Sequence, residues 1–354
     1  MVHRIAVIPG DNIGPEVVAE GLKVLRRLQA LGFGPFAYDE YPWGAGYYLK
    51  TGAPMPADGL DTIRDCDAIL FGAHGDPQRV PDRVSSQGLM HKLRKGFQQY
   101  VNLRPVRLLP GVVSPLRGKD EIDFVVVREN TEGEYSGMGG RLHAGTPYEL
   151  ATQTTVITRI GAERVMRFAF DLARQRGGKK RAAAATKSNA LSHVFGLWDE
   201  VLAEVANDYP DVECHKFHID AFTVHLINRP EWFDVIVASN LFGDILSDEG
   251  AALAGSLGMA PSANLDPTRR HPSLFEPIHG SAPDIAGQGI ANPVATILAV
   301  RMLLDWLGEA EAARRVQAAV EAVLAEGQVR TRDLGGRSTT AQLGDAICAR
   351  LEAV

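Results

Sequence analysis

Four apolar runs of this chain end abruptly in polar clusters: ILFGAHGD at 69–76, VVVREN at 125–130, AAATKSN at 183–189 and IVASNLFGD at 236–244. A short run that is apolar at every position predicts a strand buried on both faces, as in a parallel sheet whose crossovers are helices. Strands are predicted over Arg4–Ile8, Ala68–Phe71, Asp123–Val127, Ala182–Ala185 and Asp234–Ala238. Helical stretches fall between and after them: Pro15–Ala30, Gly161–Arg176, Leu197–Asn207, Pro293–Leu307 and Glu311–Glu326, with Pro15 suited to a first turn. This alternation predicts an α/β fold with substantial parallel sheet. In such sheets ligands bind beyond the carboxyl ends of the strands, so the Arg, Lys, Asn and Asp loaded there predict that at least two of the clusters meet in one site.

The opening stretch IAVIPGDNIGPE has the strand–loop–helix outline of a nucleotide site without its chemistry. Gly10 and Gly14 stand with three residues between them and no third glycine, so there is no dinucleotide fingerprint. Pro15-Glu16 replaces the Gly-Lys-Ser/Thr ending that a phosphate loop needs. With 354 residues the chain is long enough for two domains, and its net charge of −6 argues against nucleic acid or an anionic membrane as partner. No apolar run reaches membrane-spanning length and the start lacks a secretory leader pattern. Cys66, Cys214 and Cys348 are odd in number and widely spaced, which predicts a reducing, cytoplasmic setting with the thiols as packing residues.

The acids come first among the chemical signals. Asp244 and Asp248 in NLFGDILSDEG share one face if that segment is helical, and two carboxylates so placed repel unless a cation or proton lies between them. Alone, such a pair reads as a solvated helix face; directly after a buried strand it reads as a site. Asp220, set among apolar residues in HIDAFTVHLI, needs a partner if buried. Three carboxylates without thiolates suit a hard ion, Mg²⁺ or Mn²⁺, rather than zinc. Arg94, Arg104 and Arg128 offer forks for substrate carboxylates, and Lys187 and Tyr135 can exchange protons. The Gly- and Pro-rich stretch from Phe275 to Pro293, with His279, Asp284 and Asn292, can wrap a ligand, with an acid available for a ribose diol.

Taken together, GDNIGPE, LRK, NLRP, RENTEGEY, TKSN, NLFGDILSDE, GSLGMAPSAN, HGSAPDIAGQGIANP and TRDLGG resemble the metal-dependent β-decarboxylating dehydrogenases of 2-hydroxy acids over essentially the whole length. That family includes the isocitrate, 3-isopropylmalate and tartrate/D-malate dehydrogenases. The resemblance implies a two-lobed isopropylmalate-dehydrogenase-like α/β fold with mixed sheets and a non-Rossmann NAD site. One lobe is expected from 1–103 plus 256–354 and the other from 104–255, with Tyr148–Arg159 in an arm that locks a homodimer.

The resemblance also assigns roles. Arg94, Arg104 and Arg128 are expected to bind substrate carboxylates, Tyr135 to act as acid and Lys187 as base relay. Asp220, Asp244 and Asp248 are expected to hold Mn²⁺ or Mg²⁺, with Lys187 and Asp220 facing Asp244 and Asp248 of the other subunit. Ile13, Gly258, His279, Gly280, Ala282, Asp284 and Asn292 are expected to bind NAD, and the acid at 284 disfavours a 2′-phosphate. A need for a monovalent cation such as K⁺ is left open. QQYVNLRPVR and KSN, with no Ser-x-Asn before Arg94 and with His91-Lys92 in place of a greasy pair, sit closest to the tartrate/D-malate branch. DAFTVHL leans toward the isopropylmalate enzymes, Gln87 stands where the tartrate/D-malate branch has tryptophan, and Leu89 and Met90 are candidates to contact an alkyl substituent. Asn12 stands where the family reads glycine; it tolerates a left-handed backbone, and its amide is a candidate contact on the nicotinamide side.

Overall fold

The computed structural model describes residues 2–352. The chain divides into two compact units, the first Met1–Gln99, Arg107–Asp120 and Ala251–Val354, the second Tyr100–Val106 and Glu121–Gly250. In the first unit the strands run in the order Phe36–Glu40, His3–Gly10, Ala68–Ala73, Ser273–Pro277 and Pro261–Leu265. The first four are mutually parallel and the last pair is antiparallel, which makes this part of the sheet mixed. In the second unit the order is Val101–Arg107, Asp123–Glu129, Val235–Ala238, Arg181–Thr186 and Glu213–His218, parallel from the second strand onward.

All five predicted strands form, each within a few residues of its expected bounds. Their continuous apolar runs are buried: Ile5–Ile8, Ala68–Phe71, Phe124–Val127, Ala182–Ala185 and Val235–Ala238 have almost no exposure. The alanines of Arg181–Thr186 are small, so the helices Arg159–Arg176 and Ser192–Asn207 pack close against that strand. The remaining strands are less legible because polar residues interrupt them. Glu213–His218 has no fully buried position, with Glu213 and Lys216 exposed and the rest half-buried, and Val101–Arg107 carries Asn102 and Arg104 inward.

The helix Gly14–Ala30 starts with Pro15 in its first turn and Glu16 beside the positive helix end, as its sequence predicts. It buries Val17, Val18, Leu22, Leu25 and Leu28, and Gly21 lets it close on Thr296 and Val300. Before it, Gly10 has φ +74, and a Cβ there would fall 1.9 Å from the Ala73 carbonyl oxygen. Only glycine allows the first strand to leave the sheet so close to its neighbour.

Leu89 and Met90 are corrected by the structure as candidate substrate contacts. Both are buried in a core with Trp43, Met55, Leu93 and Phe97, so their apolar surface is already covered. Of the stretch Tyr148–Arg159, Leu150–Gln153 pairs antiparallel with Gly139–Leu142 in a ribbon exposed along its length, and Arg159 opens the helix Arg159–Arg176. Among the described residues no helix is long and apolar enough to cross a membrane. The three cysteines are free, and burial pushes the Cys348 thiol up to about 11, which keeps it protonated and unreactive at neutral pH.

Candidate functional site

Two of the four polar clusters meet in the second unit. Strand Asp123–Glu129 delivers Arg128 at its carboxyl end, and the helix Asn240–Leu253 begins just beyond strand Val235–Ala238. Gly243 lets that helix lie directly on Arg128, since a Cβ there would sit 2.6 Å from the Arg128 Cβ. The Arg128 guanidinium donates through Nε (3.0 Å) and Nη2 (2.8 Å) to the Asn240 carboxamide oxygen, and through Nη1 to Asp244. Arg104, reaching in from strand Val101–Arg107, donates through Nη1 to Asp244 (3.1 Å) and to the Ser247 hydroxyl (2.7 Å), with Asp248 at 3.5 Å. Both arginines are buried, and this acid–base pairing is what makes their charges tolerable there.

Tyr135 completes the cluster. It sits in a short turn, Glu134–Ser136, between Gly133 and Gly137, both at positive φ, of which only Gly137 is in the left-handed helical region. Its hydroxyl donates to Asp244 Oδ2 at 3.2 Å. Burial, then the Asp244 charge, pushes the phenol above its ordinary value, so it remains a proton donor at neutral pH. Asp248 lies half-exposed one turn beyond Asp244, on the same helix face as the spacing predicts. Burial and the Asp244 charge raise its carboxyl against the opposing pull of Arg104.

Lys187 follows strand Arg181–Thr186, and its ammonium donates to Asp220 Oδ1 at 2.8 Å. This hydrogen bond lowers the Asp220 carboxyl below its ordinary range. Asp220 is not buried: its side chain is 68% exposed, because the helix Ile219–Asn228 turns Phe222 and Leu226 inward and leaves Asp220 outward. Within one chain Asp220 is not gathered with Asp244 and Asp248, and among the described residues no group of three His, Cys, Asp or Glu side chains is placed to hold a metal. Asp244 and Asp248 do fit part of such a site. They are oxygen donors on one helix face, suited to a hard divalent ion and not to zinc.

In the first unit Arg94, on helix His91–Gly96, donates through Nη2 to Glu276 (3.0 Å), which also accepts from the Asn264 amide (2.7 Å). The Arg94 Nε is buried and has no hydrogen-bond partner among the described residues. Seven residues expected to bind NAD lie on neighbouring segments of this unit. Ile13 is buried against Ala291, with Ala282 and Ile285 packed on it, and its N–H donates to the Ser281 carbonyl at 3.1 Å. Asn292 donates to Asp333 (2.9 Å), which the Ser256 hydroxyl also meets (2.6 Å), and Gly258 leaves room for that pair. Asp284 and Gly280 are exposed. Burial holds the His279 imidazole neutral; with Nδ1 donating to the Gly280 carbonyl (3.0 Å), Nε2 is a buried acceptor without a partner among the described residues. That orphaned acceptor fits a ligand donor such as a ribose hydroxyl.

Asn12 has φ +54, the left-handed backbone its residue type tolerates. Its amide does not stand free. It donates to the Gly75 carbonyl at 3.0 Å and to the Ser281 hydroxyl at 3.4 Å. No role was legible in sequence for Asn240, Ser247, Glu276, Asn264 or Asp333, which hold the site arginines and Asn292 directly or through Glu276. Asn240 and Ser247 lie inside a segment already singled out, and their only local signal is a polar residue on the buried face of an otherwise apolar helix.

Across residues 4–347 the chain matches the isocitrate/isopropylmalate dehydrogenase family model. It belongs to that family of oxidoreductases. It is 51% identical over 349 residues to a probable tartrate dehydrogenase/decarboxylase of Agrobacterium vitis, covering 98% of this chain and 97% of the relative. It is also 51% identical to the decarboxylating D-malate dehydrogenase of Escherichia coli, with 98% and 97% covered. A 3-isopropylmalate dehydrogenase of Thermobifida fusca is 50% identical, again with 98% and 97% covered. Among solved structures, isocitrate dehydrogenase from Methylococcus capsulatus superposes with a TM-score of 0.91 at 38% identity, covering 99% of both chains.

Proposed function

We propose that this chain is an NAD-dependent, divalent-metal-dependent dehydrogenase of a small 2-hydroxy acid, tartrate or D-malate, that decarboxylates the product when a β-carboxylate is present. The observation that carries the proposal is the Asp244 carboxylate, bonded at once to Arg104, Arg128 and the Tyr135 hydroxyl. Arg94, Arg104 and Arg128 bind the substrate carboxylates with their planar forks. Asp244 and Asp248, with Asp220 from a second copy, would hold Mn²⁺ or Mg²⁺, which when bound would supply Lewis acidity for loss of the hydroxyl proton. Lys187, steadied by Asp220, relays that proton away. Ile13, Gly258, His279, Gly280, Ala282, Asp284 and Asn292 would hold NAD, which when bound would supply the hydride acceptor. After CO₂ leaves, Tyr135 gives its proton to the enolate carbon.

A second copy is supported by apolar side chains left exposed on the arm and on helix faces, among them Met138, Leu142, Leu150, Val224, Ile227 and Ile245. The 3-isopropylmalate reading is supported by a relative of nearly equal identity. Against it, Leu89 and Met90 are spent in the core and do not offer an alkyl pocket. The test is kcat/KM for D-malate and tartrate against 3-isopropylmalate, with saturating NAD and Mn²⁺. A missing alkyl pocket is worth about tenfold or more in discrimination, so one of the small acids should win by at least that margin. A preference for 3-isopropylmalate would overturn the choice of branch.

A further inference from the structure

Residues 11–13 address three other segments of the first unit in turn. The buried Asp11 carboxylate accepts from the N–H groups of Ala45 (3.0 Å), Gly46 (3.2 Å) and Gly75 (2.9 Å), and its own N–H donates to the Ala73 carbonyl at 2.8 Å. This grip fixes the backbone leaving the first strand and holds Asn12 at φ +54, where its carboxamide turns toward the same Gly75. Gly75 is thereby held on both sides, its N–H by Asp11 and its C=O by Asn12. The second amide hydrogen of Asn12 reaches the buried Ser281 hydroxyl, while the Ile13 N–H takes the Ser281 carbonyl. Directly after Ser281, Ala282 is held at φ +44, a conformation that costs energy for a residue with a Cβ and persists only where neighbours impose it.

We infer that Asn12 is a positioning residue for the cofactor: its carboxamide clips the Gly280–Ala282 turn to the Gly75 turn and holds the His279–Asn292 segment ready to bind NAD. The inference rests on the reading that this segment holds NAD. Asn12 touches neither substrate nor reacting atoms, so its effect falls on cofactor affinity and leaves the chemical step alone. Preorganisation of this kind acts by removing an ordering cost from binding.

The test uses the full-length protein and NADH itself, titrated by its fluorescence without substrate or metal, followed by steady-state kinetics. Asn12→Gly keeps the left-handed backbone free of strain and deletes both side-chain bonds. It should raise the NADH Kd and the KM for NAD by about fivefold, the scale of one neutral hydrogen bond. At saturating NAD, kcat and the KM for the hydroxy acid should stay within about twofold, since a bond outside the reacting centre adds nothing to the chemical step. Ser281→Ala, which removes only the longer bond, should show a smaller rise and provides an independent second probe. Unchanged NADH affinity in Asn12→Gly, or a fall in kcat and both KM values together with a lowered melting midpoint, would overturn the inference. Failure of the unaltered protein to bind NADH would instead overturn the reading on which the inference rests.

Discussion

Asp244→Asn should all but abolish metal-dependent turnover, with kcat down by roughly 10²-fold or more, the scale lost when one preorganised electrostatic contact is removed. The carboxylate serves two charges of one sign, Arg104 and Arg128, and would serve a third in the ion. Asparagine keeps an acceptor oxygen but removes the negative charge, leaving two buried guanidiniums facing a dipole. Breaking a fully buried pair costs about 3–5 kcal/mol; because the Asp244 side chain is 34% exposed, about 1–2 kcal/mol of stability is the expected loss. The variant should therefore fold, melt a few degrees lower, and fail to recover at any Mn²⁺ concentration. Wild-type activity at limiting Mn²⁺ would remove Asp244 from the metal site.

Tyr135→Phe should separate the two halves of the reaction. Loss of a positioned general acid slows its proton transfer by about 10²- to 10⁴-fold. The variant should thus still form NADH in a single turnover while release of the protonated, decarboxylated product lags far behind. The pH dependence has a definite sign. Burial and the neighbouring Asp244 charge raise the phenol above its ordinary 10.0, so it stays protonated through neutral and mildly alkaline pH. Loss of product protonation from this group in the unaltered enzyme should therefore come at higher pH than a free phenol would give. Equal slowing of NADH formation and product protonation in Tyr135→Phe would argue against its role as the acid.

The sequence exposed those parts of the fold and site that are local. Strands buried on both faces read as uninterrupted apolar runs, and an i,i+4 acid pair after such a run identified Asp244 and Asp248 before any contact was known. Arg128 was legible for the same reason, as a charge placed immediately after three valines. What stayed hidden depends on partners far apart in the chain. Whether Asp220 is buried could not be read from its apolar neighbours, since helical periodicity turns only Phe222 and Leu226 inward and leaves the acid at the surface with Val224 and Ile227. Leu89 and Met90 looked available for a substrate because they precede Arg94, but their helix face meets Trp43 and Met55, which no local pattern reveals. Asn12 was recognisable as a tolerated left-handed residue; that its amide joins Gly75 and Ser281 required the fold.

A single assay reaches the heart of the proposed chemistry: NADH formation at 340 nm from D-malate, tartrate, 3-isopropylmalate and isocitrate, each with Mn²⁺ and with the ion chelated. The expected result is NADH from D-malate or tartrate in the presence of Mn²⁺, lost on chelation and restored when the ion returns. No NADH from any of the four acids at millimolar Mn²⁺, or formation undiminished by chelation, would contradict it.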